Sequence, residues 1–179
     1  TFRGNPVSPQ DQDQPVVLIT GAGRGIGRAT AEAFAAEGYT VVLAEILTAV
    51  GRGGAEALIR SGARAVFVRT DVANPASVKR LVTTALRRFG RIDCLVNNAG
   101  ILSVGPLARL SVRDLDRMVA VNLRGPLLLA RAALPAMLRQ GSGSIINVAS
   151  QLGKYGLGEY VVYCATKFGV IGLTQQLAL

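Results

Sequence analysis

The sequence predicts a doubly wound α/β fold, in which helices pack on both faces of a parallel sheet. Two observations lead to it. From residue 16 onward, short apolar, β-branched runs alternate with longer segments of helical spacing, the order that builds βαβ units. The runs are also nearly continuous in apolar residues rather than alternating, as expected of strands buried on both faces. Right-handed crossovers then leave few topologies open, and no internal repeat competes with this organisation.

The elements follow in order. Strands are predicted at 16–20 (VVLIT), 40–45 (TVVLAE), 64–70 (RAVFVRT), 92–97 (IDCLVN) and 143–149 (GSIINVA). The helical spacing between and after them covers about 26–37, 49–61, 75–89, 111–139 and 160–178. Residues 1–15 (TFRGNPVSPQDQDQP) are rich in Pro, Gln and Asp and lack the apolar core of a signal peptide, so they are expected to form a flexible leader. The longest apolar region, Pro126 to Leu138, is interrupted by Arg131 and Pro135 and is not a bilayer helix.

Composition narrows the chemistry. A chain of 179 residues suits one domain, here residues 16–179. With 50% apolar and 17% charged residues it is too hydrophobic for disorder. The two cysteines, Cys94 and Cys164, are too few for a disulfide framework; they read as packing residues in a reducing, cytoplasmic compartment. There is no histidine, which removes Ser-His-Asp and Cys-His catalysis and the commonest zinc ligand, so no metal site is expected. Protons must be moved by Tyr, Lys, Cys or a carboxylate. The net charge of +9 raises the question of nucleic acid. Yet the densest basic cluster is only Arg87, Arg88 and Arg91, and aromatics are 5%. A solvated basic surface is the expected reading, with no nucleic-acid partner.

Ligands of open α/β sheets bind outside the carboxyl ends of the strands. The first strand runs into TGAGRGIG at 20–27. Gly21 permits a tight turn, Gly25 admits a pyrophosphate close to the backbone, and Gly27 lets helix and strand pack closely. A helix beginning near Ile26 would aim free N–H groups at the phosphates. The spacing is G-x-x-x-G-x-G, not the G-x-G-x-x-G of other dinucleotide sites; in isolation it could be an ordinary glycine-rich turn. Glu45 ends the second strand, where a carboxylate accepts hydrogen bonds from ribose hydroxyls and repels a 2′-phosphate. A solvated strand end is the plainer alternative. Ile46 brings no cation there, whereas Arg24 within the loop favours the phosphate, so NAD is expected ahead of NADP. Asp71 and Val72 follow the third strand, and Asn98, Ala99 and Gly100 the fourth. Spacing leaves open whether Asp71 is a turn carboxylate and Asn98 a capping amide.

Ser150 comes just past the fifth strand, and Tyr163 and Lys167 occur as Y-C-A-T-K on the next helix. The i, i+4 spacing places them on one face. A phenol titrates near ~10 unperturbed, and a nearby ammonium favours the phenolate. The pair is thus a workable acid/base device in a chain without histidine, though a surface Tyr and Lys one turn apart is a common arrangement.

Taken together, TGAGRGIG (20–27), Asp71-Val72, NNAG (97–100), Asn122 in AVNLRG, Ser150 in INVAS and YCATK (163–167) resemble the short-chain dehydrogenases/reductases over residues 16–179, and among them the 3-oxoacyl-acyl-carrier-protein reductases. The resemblance implies a Rossmann-type doubly wound sheet forming one dinucleotide-binding and catalytic domain. It implies an NAD(P)-dependent oxidoreductase that interconverts a secondary alcohol, or a 3-oxoacyl thioester, and its oxidised or reduced partner. Tyr163 would exchange the proton, Lys167 would lower the phenol's pKa and hold the nicotinamide ribose, and Ser150 would bond the substrate oxygen. Asn122 would help hold a water-linked proton relay. Gly21, Arg24, Ile26 and Glu45 would contact the cofactor, Asp71 and Val72 its adenine, and Asn98 to Gly100 the central cleft. The helices at 111–139 and 160–178 would build a homodimer or homotetramer. The family has about two further strands, so residues 16–179 are expected to lack its C-terminal part. A non-catalytic nucleotide-binding protein on the same fold is the alternative.

Overall fold

The computed structural model describes residues 14–179; the leader expected at 1–15 falls almost wholly outside them. Five strands, β1 (Val16–Thr20), β2 (Thr40–Glu45), β3 (Ala65–Arg69), β4 (Cys94–Asn97) and β5 (Ser144–Asn147), form one parallel sheet in the order β3-β2-β1-β4-β5. The order reverses between β1 and β4, which is where an open α/β sheet leaves a crevice.

Burial explains why the strand runs are so apolar. Every residue of β1 is at most 1% exposed because helices cover both faces. Val17, Ile19, Val41 and Leu43 face α1 (Gly25–Ala36) and α2 (Thr48–Arg60) through Ala31, Ala55 and Leu58. Val16, Leu18, Val42 and Leu95 face α3 (Pro75–Phe89) and α5 (Gly125–Gln140) through Leu81, Ala85, Leu129 and Ala133. Local chemistry sets the ends of α3. The Asn74 side chain accepts from the Ser77 N–H at 3.1 Å ahead of Pro75, and Gly90 closes the helix at φ 76°. At the opposite end of the sheet from the crevice, the Asp93 carboxylate accepts from the Val16 N–H (2.7 Å) and pairs with Arg91 (2.7 Å).

One expected element is built differently. The helical run at 111–139 divides into α4 (Val112–Val119), a π turn at Ala120–Arg124, and α5. No glycine or proline occurs within the turn, and its cause is tertiary. Asn122 is 1% exposed and both ends of its amide are bonded to Ile101, outside the helix. A widened turn carries that side chain to its partner at some cost in regular i→i+4 bonding. The last helix, α6 (Val161–Leu177), follows the expected 160–178 closely.

Candidate functional site

The carboxyl ends of β1 to β4 open on a cleft of about 480 Å³. Its phosphate-loop side is made by backbone. Gly21 and Gly25 hold φ of 63° and 54°, a region that side chains with a Cβ rarely adopt. A Cβ on Gly27 would overlap the Gly21 carbonyl oxygen, so the loop lies on α1 only because that position is bare. The N-terminus of α1 has no side-chain cap, and Arg24, Gly25 and Ile26 line the cleft beside its unpaired N–H groups. Unpaired amides at a helix start are the kind of group that suits an anion.

The floor is locked by two side chains. The Thr20 hydroxyl accepts from the N–H groups of Asn98 (3.0 Å) and Ala99 (3.1 Å) and donates to the Val96 carbonyl (3.3 Å). The Asn98 amide donates to the carbonyls of Thr20 (2.9 Å) and Gly21 (3.2 Å). Asn98 is therefore a backbone-capping amide that ties down the glycine loop, and it lines the cleft as well. Ala99 and Gly100 line the cleft beside it.

At the far end Glu45 is 8% exposed, and backbone holds its carboxylate. One oxygen accepts from Ile46 (2.9 Å) and Leu47 (3.1 Å), the other from Gly23 (3.2 Å). The charge thus stands at the cleft wall with one oxygen still able to accept a hydroxyl. Asp71 is both a turn residue and a cleft residue: it accepts from the Ala73 N–H at 3.0 Å and lines the cavity with Val72. Arg117 and Val121, one helical turn apart, also line it. Sequence reasoning missed both, and their i, i+4 spacing just ahead of Asn122 was the available signal.

Asn122, Ser150, Tyr163 and Lys167, the residues expected to handle the proton, are not among those lining this cleft and lie on three other elements, with Asn122 joined to the cleft residue Ile101. Lys167 is 5% exposed, donates to the Val148 carbonyl at 2.7 Å, and lies 5.6 Å from the centre of the Tyr163 ring. Burial pushes its ammonium below the usual lysine pKa. Ser150 ends the strand-five segment, and its hydroxyl accepts from the Leu152 N–H at 3.2 Å, capping a short 3₁₀ turn at Gln151–Gly153. That turn rests on α6, because a Cβ on Gly153 would come within 2.9 Å of the Lys167 carbonyl oxygen. A Cβ on Gly169 would likewise come within 2.8 Å of Leu123 in the π turn. Two bare positions thus let the Ser150 segment and the Asn122 segment close on the Tyr163–Lys167 helix. The Asn122 amide accepts from the Ile101 N–H (2.8 Å) and donates to the Ile101 carbonyl (2.8 Å) and the Thr166 hydroxyl (3.4 Å).

The cysteines take no part. Both are buried, and burial together with the Asp93 charge pushes the Cys94 thiol up to about 11. Among the described residues no His/Cys/Asp/Glu cluster could hold a metal, and no helix is long and apolar enough to cross a membrane.

Known proteins share this arrangement. D-threitol dehydrogenase of Mycolicibacterium smegmatis is 41% identical over 93% of this chain and 64% of its own length. The 3-oxoacyl-[acyl-carrier-protein] reductase of Synechocystis is 44% identical over 91% of this chain and 66% of its own. The chain thus spans about two thirds of the length of these relatives. A crystal structure of a short-chain dehydrogenase/reductase from Burkholderia phymatum in complex with NAD superposes with a TM-score of 0.90 at 38% identity, covering 93% of this chain and 60% of that one. Residues 15–179 match the short chain dehydrogenase family model. With sequence and backbone agreeing over that whole span, the chain belongs to the short-chain dehydrogenase family.

Proposed function

We propose that this chain is the cofactor-binding and acid/base part of an oxidoreductase that interconverts a secondary alcohol and a ketone, using NAD in preference to NADP. The observation that carries the reading is the Lys167 ammonium, held at 2.7 Å by the Val148 carbonyl and set 5.6 Å from the Tyr163 ring. That contact fixes a cation beside the ring of the only tyrosine one helical turn from a buried lysine, the pairing from which Tyr163 would exchange a proton with the substrate oxygen. Ser150 offers a hydroxyl to the substrate oxygen. The Asn122 amide has its N–H groups engaged by Ile101 and Thr166, so its share in a water-linked relay falls to its acceptors.

The cleft fits a dinucleotide. The bare Gly27 position and the uncapped start of α1 accept a pyrophosphate, Glu45 a ribose hydroxyl, and Asp71 and Val72 an adenine. The bound nicotinamide would supply the hydride chemistry, while the protein supplies position and charge. Glu45 also disfavours a 2′-phosphate, although Arg24 opposes it. Solved relatives hold NAD in one case and NADP in another, so the preference rests on Glu45 alone. The names of the two relatives, one a D-threitol dehydrogenase and the other a 3-oxoacyl-[acyl-carrier-protein] reductase, support a small alcohol or an acyl thioester as substrate. Half-exposed or exposed apolar residues on α4 to α6, among them Val112, Leu127, Leu138 and Phe168, support assembly into a homodimer or homotetramer through these helices. The buried free thiols suit the cytoplasm.

The test uses the full-length protein. NADH and NADPH are titrated separately by fluorescence, and a panel of alcohols, ketones and 3-oxoacyl thioesters is run with the preferred one. Tyr163→Phe should lower turnover by about 10²–10⁴-fold while leaving NADH affinity within about twofold. Wild-type turnover in that variant would remove Tyr163 from the chemistry.

A further inference from the structure

Thr166 stands at the junction of the two halves of the site, and none of the readings above assigns it a function. It is 1% exposed. Its hydroxyl donates to the Tyr163 carbonyl at 2.7 Å and accepts from the Asn122 amide at 3.4 Å. That same amide holds both the N–H and the carbonyl of Ile101, a residue on the wall of the dinucleotide cleft. One side chain of the π turn therefore joins the cleft wall to the helix that carries the acid/base pair, and Thr166 is its point of attachment on that helix.

We infer that Thr166 is a positioning residue: through Asn122 it sets the rotation of α6, and with it the placement of Tyr163 and Lys167 relative to the cleft. The contacts divide the work. Gly169 against Leu123 and Gly153 against the Lys167 carbonyl fix how closely α6 approaches its neighbours. Beyond that packing, the direction in which α6 faces is held by the side-chain bonds it makes across to its neighbours. Among the described residues, the side-chain hydrogen bonds that tie α6 to other elements are Lys167 to Val148, Thr174 to Asn147 and Thr166 to Asn122. The first two reach the β5 side, and the Thr166 bond alone reaches the π turn. Since each residue occupies about 100° of the helix, a small rotation swings a phenol at its rim by a large fraction of an ångström. A misplacement of about 1 Å can cost about 10²-fold in rate.

The inference rests on the proposed roles of Tyr163 and Lys167, and its test separates the two. In the full-length protein, T166V keeps the side-chain shape and removes the hydroxyl; T166S keeps the hydroxyl. T166V should lower kcat by about 10- to 100-fold, with KM and NADH affinity within about threefold. Its kcat–pH profile should change as well, a readout that a loss of stability alone would not move. T166S should restore both kcat and the profile. If T166V fails to fold, T166C carries the same expectation, since a thiol bonds weakly. Two results would overturn the inference: a T166V enzyme with wild-type kcat and pH profile, or one that loses stability and activity together with an unmoved profile. If the wild-type protein binds NADH but Tyr163→Phe turns over normally, the proposed chemistry fails instead, whatever Thr166 does.

Discussion

The two ends of the proposed site, one for a dinucleotide and one for proton handling, are built from different materials. The dinucleotide end is mostly backbone: bare positions at Gly21, Gly25 and Gly27, the free N–H groups of α1, and amides bonded by Thr20 and Glu45. The proton-handling end is side chains, delivered by the β5 segment, the π turn and α6, which meet through tertiary packing. A backbone site tolerates any side chain that stays out of the way and fails where a Cβ intrudes. A side-chain site fails when its supports shift. Substitutions should therefore separate the two ends.

The largest effect is expected at the backbone end. Gly27→Ala places a methyl group on the Gly21 carbonyl oxygen. Overpacking of this kind costs about 1–3 kcal/mol, and the displaced loop should lose about 100-fold in NADH affinity. Urea unfolding and fluorescence titration read the two quantities. A Gly27→Ala protein that binds NADH as the wild type does would mean that the loop need not lie on α1.

A subtler contrast comes from Lys167, whose pKa burial lowers from 10.5. At pH values below the lowered pKa the lysine is protonated in both folded and unfolded chains, and the cost of burying its charge is fully present. Between the lowered value and 10.5 the unfolded chain keeps a proton that the folded chain has released. Stability contributed by this group therefore rises with pH across that window. Measured by urea unfolding, wild type should become more stable relative to Lys167→Met as pH rises toward 10.5. A flat or falling difference would place the ammonium in a better-solvated setting than its burial indicates.

The smallest effect is expected from Glu45→Gln. Removing the charge at the cleft wall should narrow the preference for NADH over NADPH by about tenfold, equivalent to ~1.4 kcal/mol. An unchanged ratio of the two affinities would assign the discrimination to Arg24 or Arg117 instead.

The same division accounts for what the sequence made legible. The strand runs, the glycine spacing and the i, i+4 pair of Tyr163 and Lys167 are local patterns, and each occupies its expected place in the fold. That Asn98 is a capping amide could not be decided by spacing, because its partners Thr20 and Gly21 lie more than 75 residues away. The π turn had no local signature either: the apolar spacing of 111–139 continues through it, and its cause is the bond from Asn122 to a backbone 21 residues earlier. Patterns that depend on neighbours along the chain were readable, and those that depend on a distant partner were not.

The Thr20 hydroxyl, which bonds to Val96, Asn98 and Ala99, has a mechanical consequence. It makes the start of the post-β4 loop an extension of the sheet, with amides held as strand amides are held. These bonds tie the backbone of residues 98 and 99 directly to the end of β1. Adjustment to a ligand is left to the rim, where Arg24, Ile26 and Arg117 have exposed side chains. A stiff base with a yielding rim lets different ligand bodies be accommodated while the reacting atoms keep one height above the sheet.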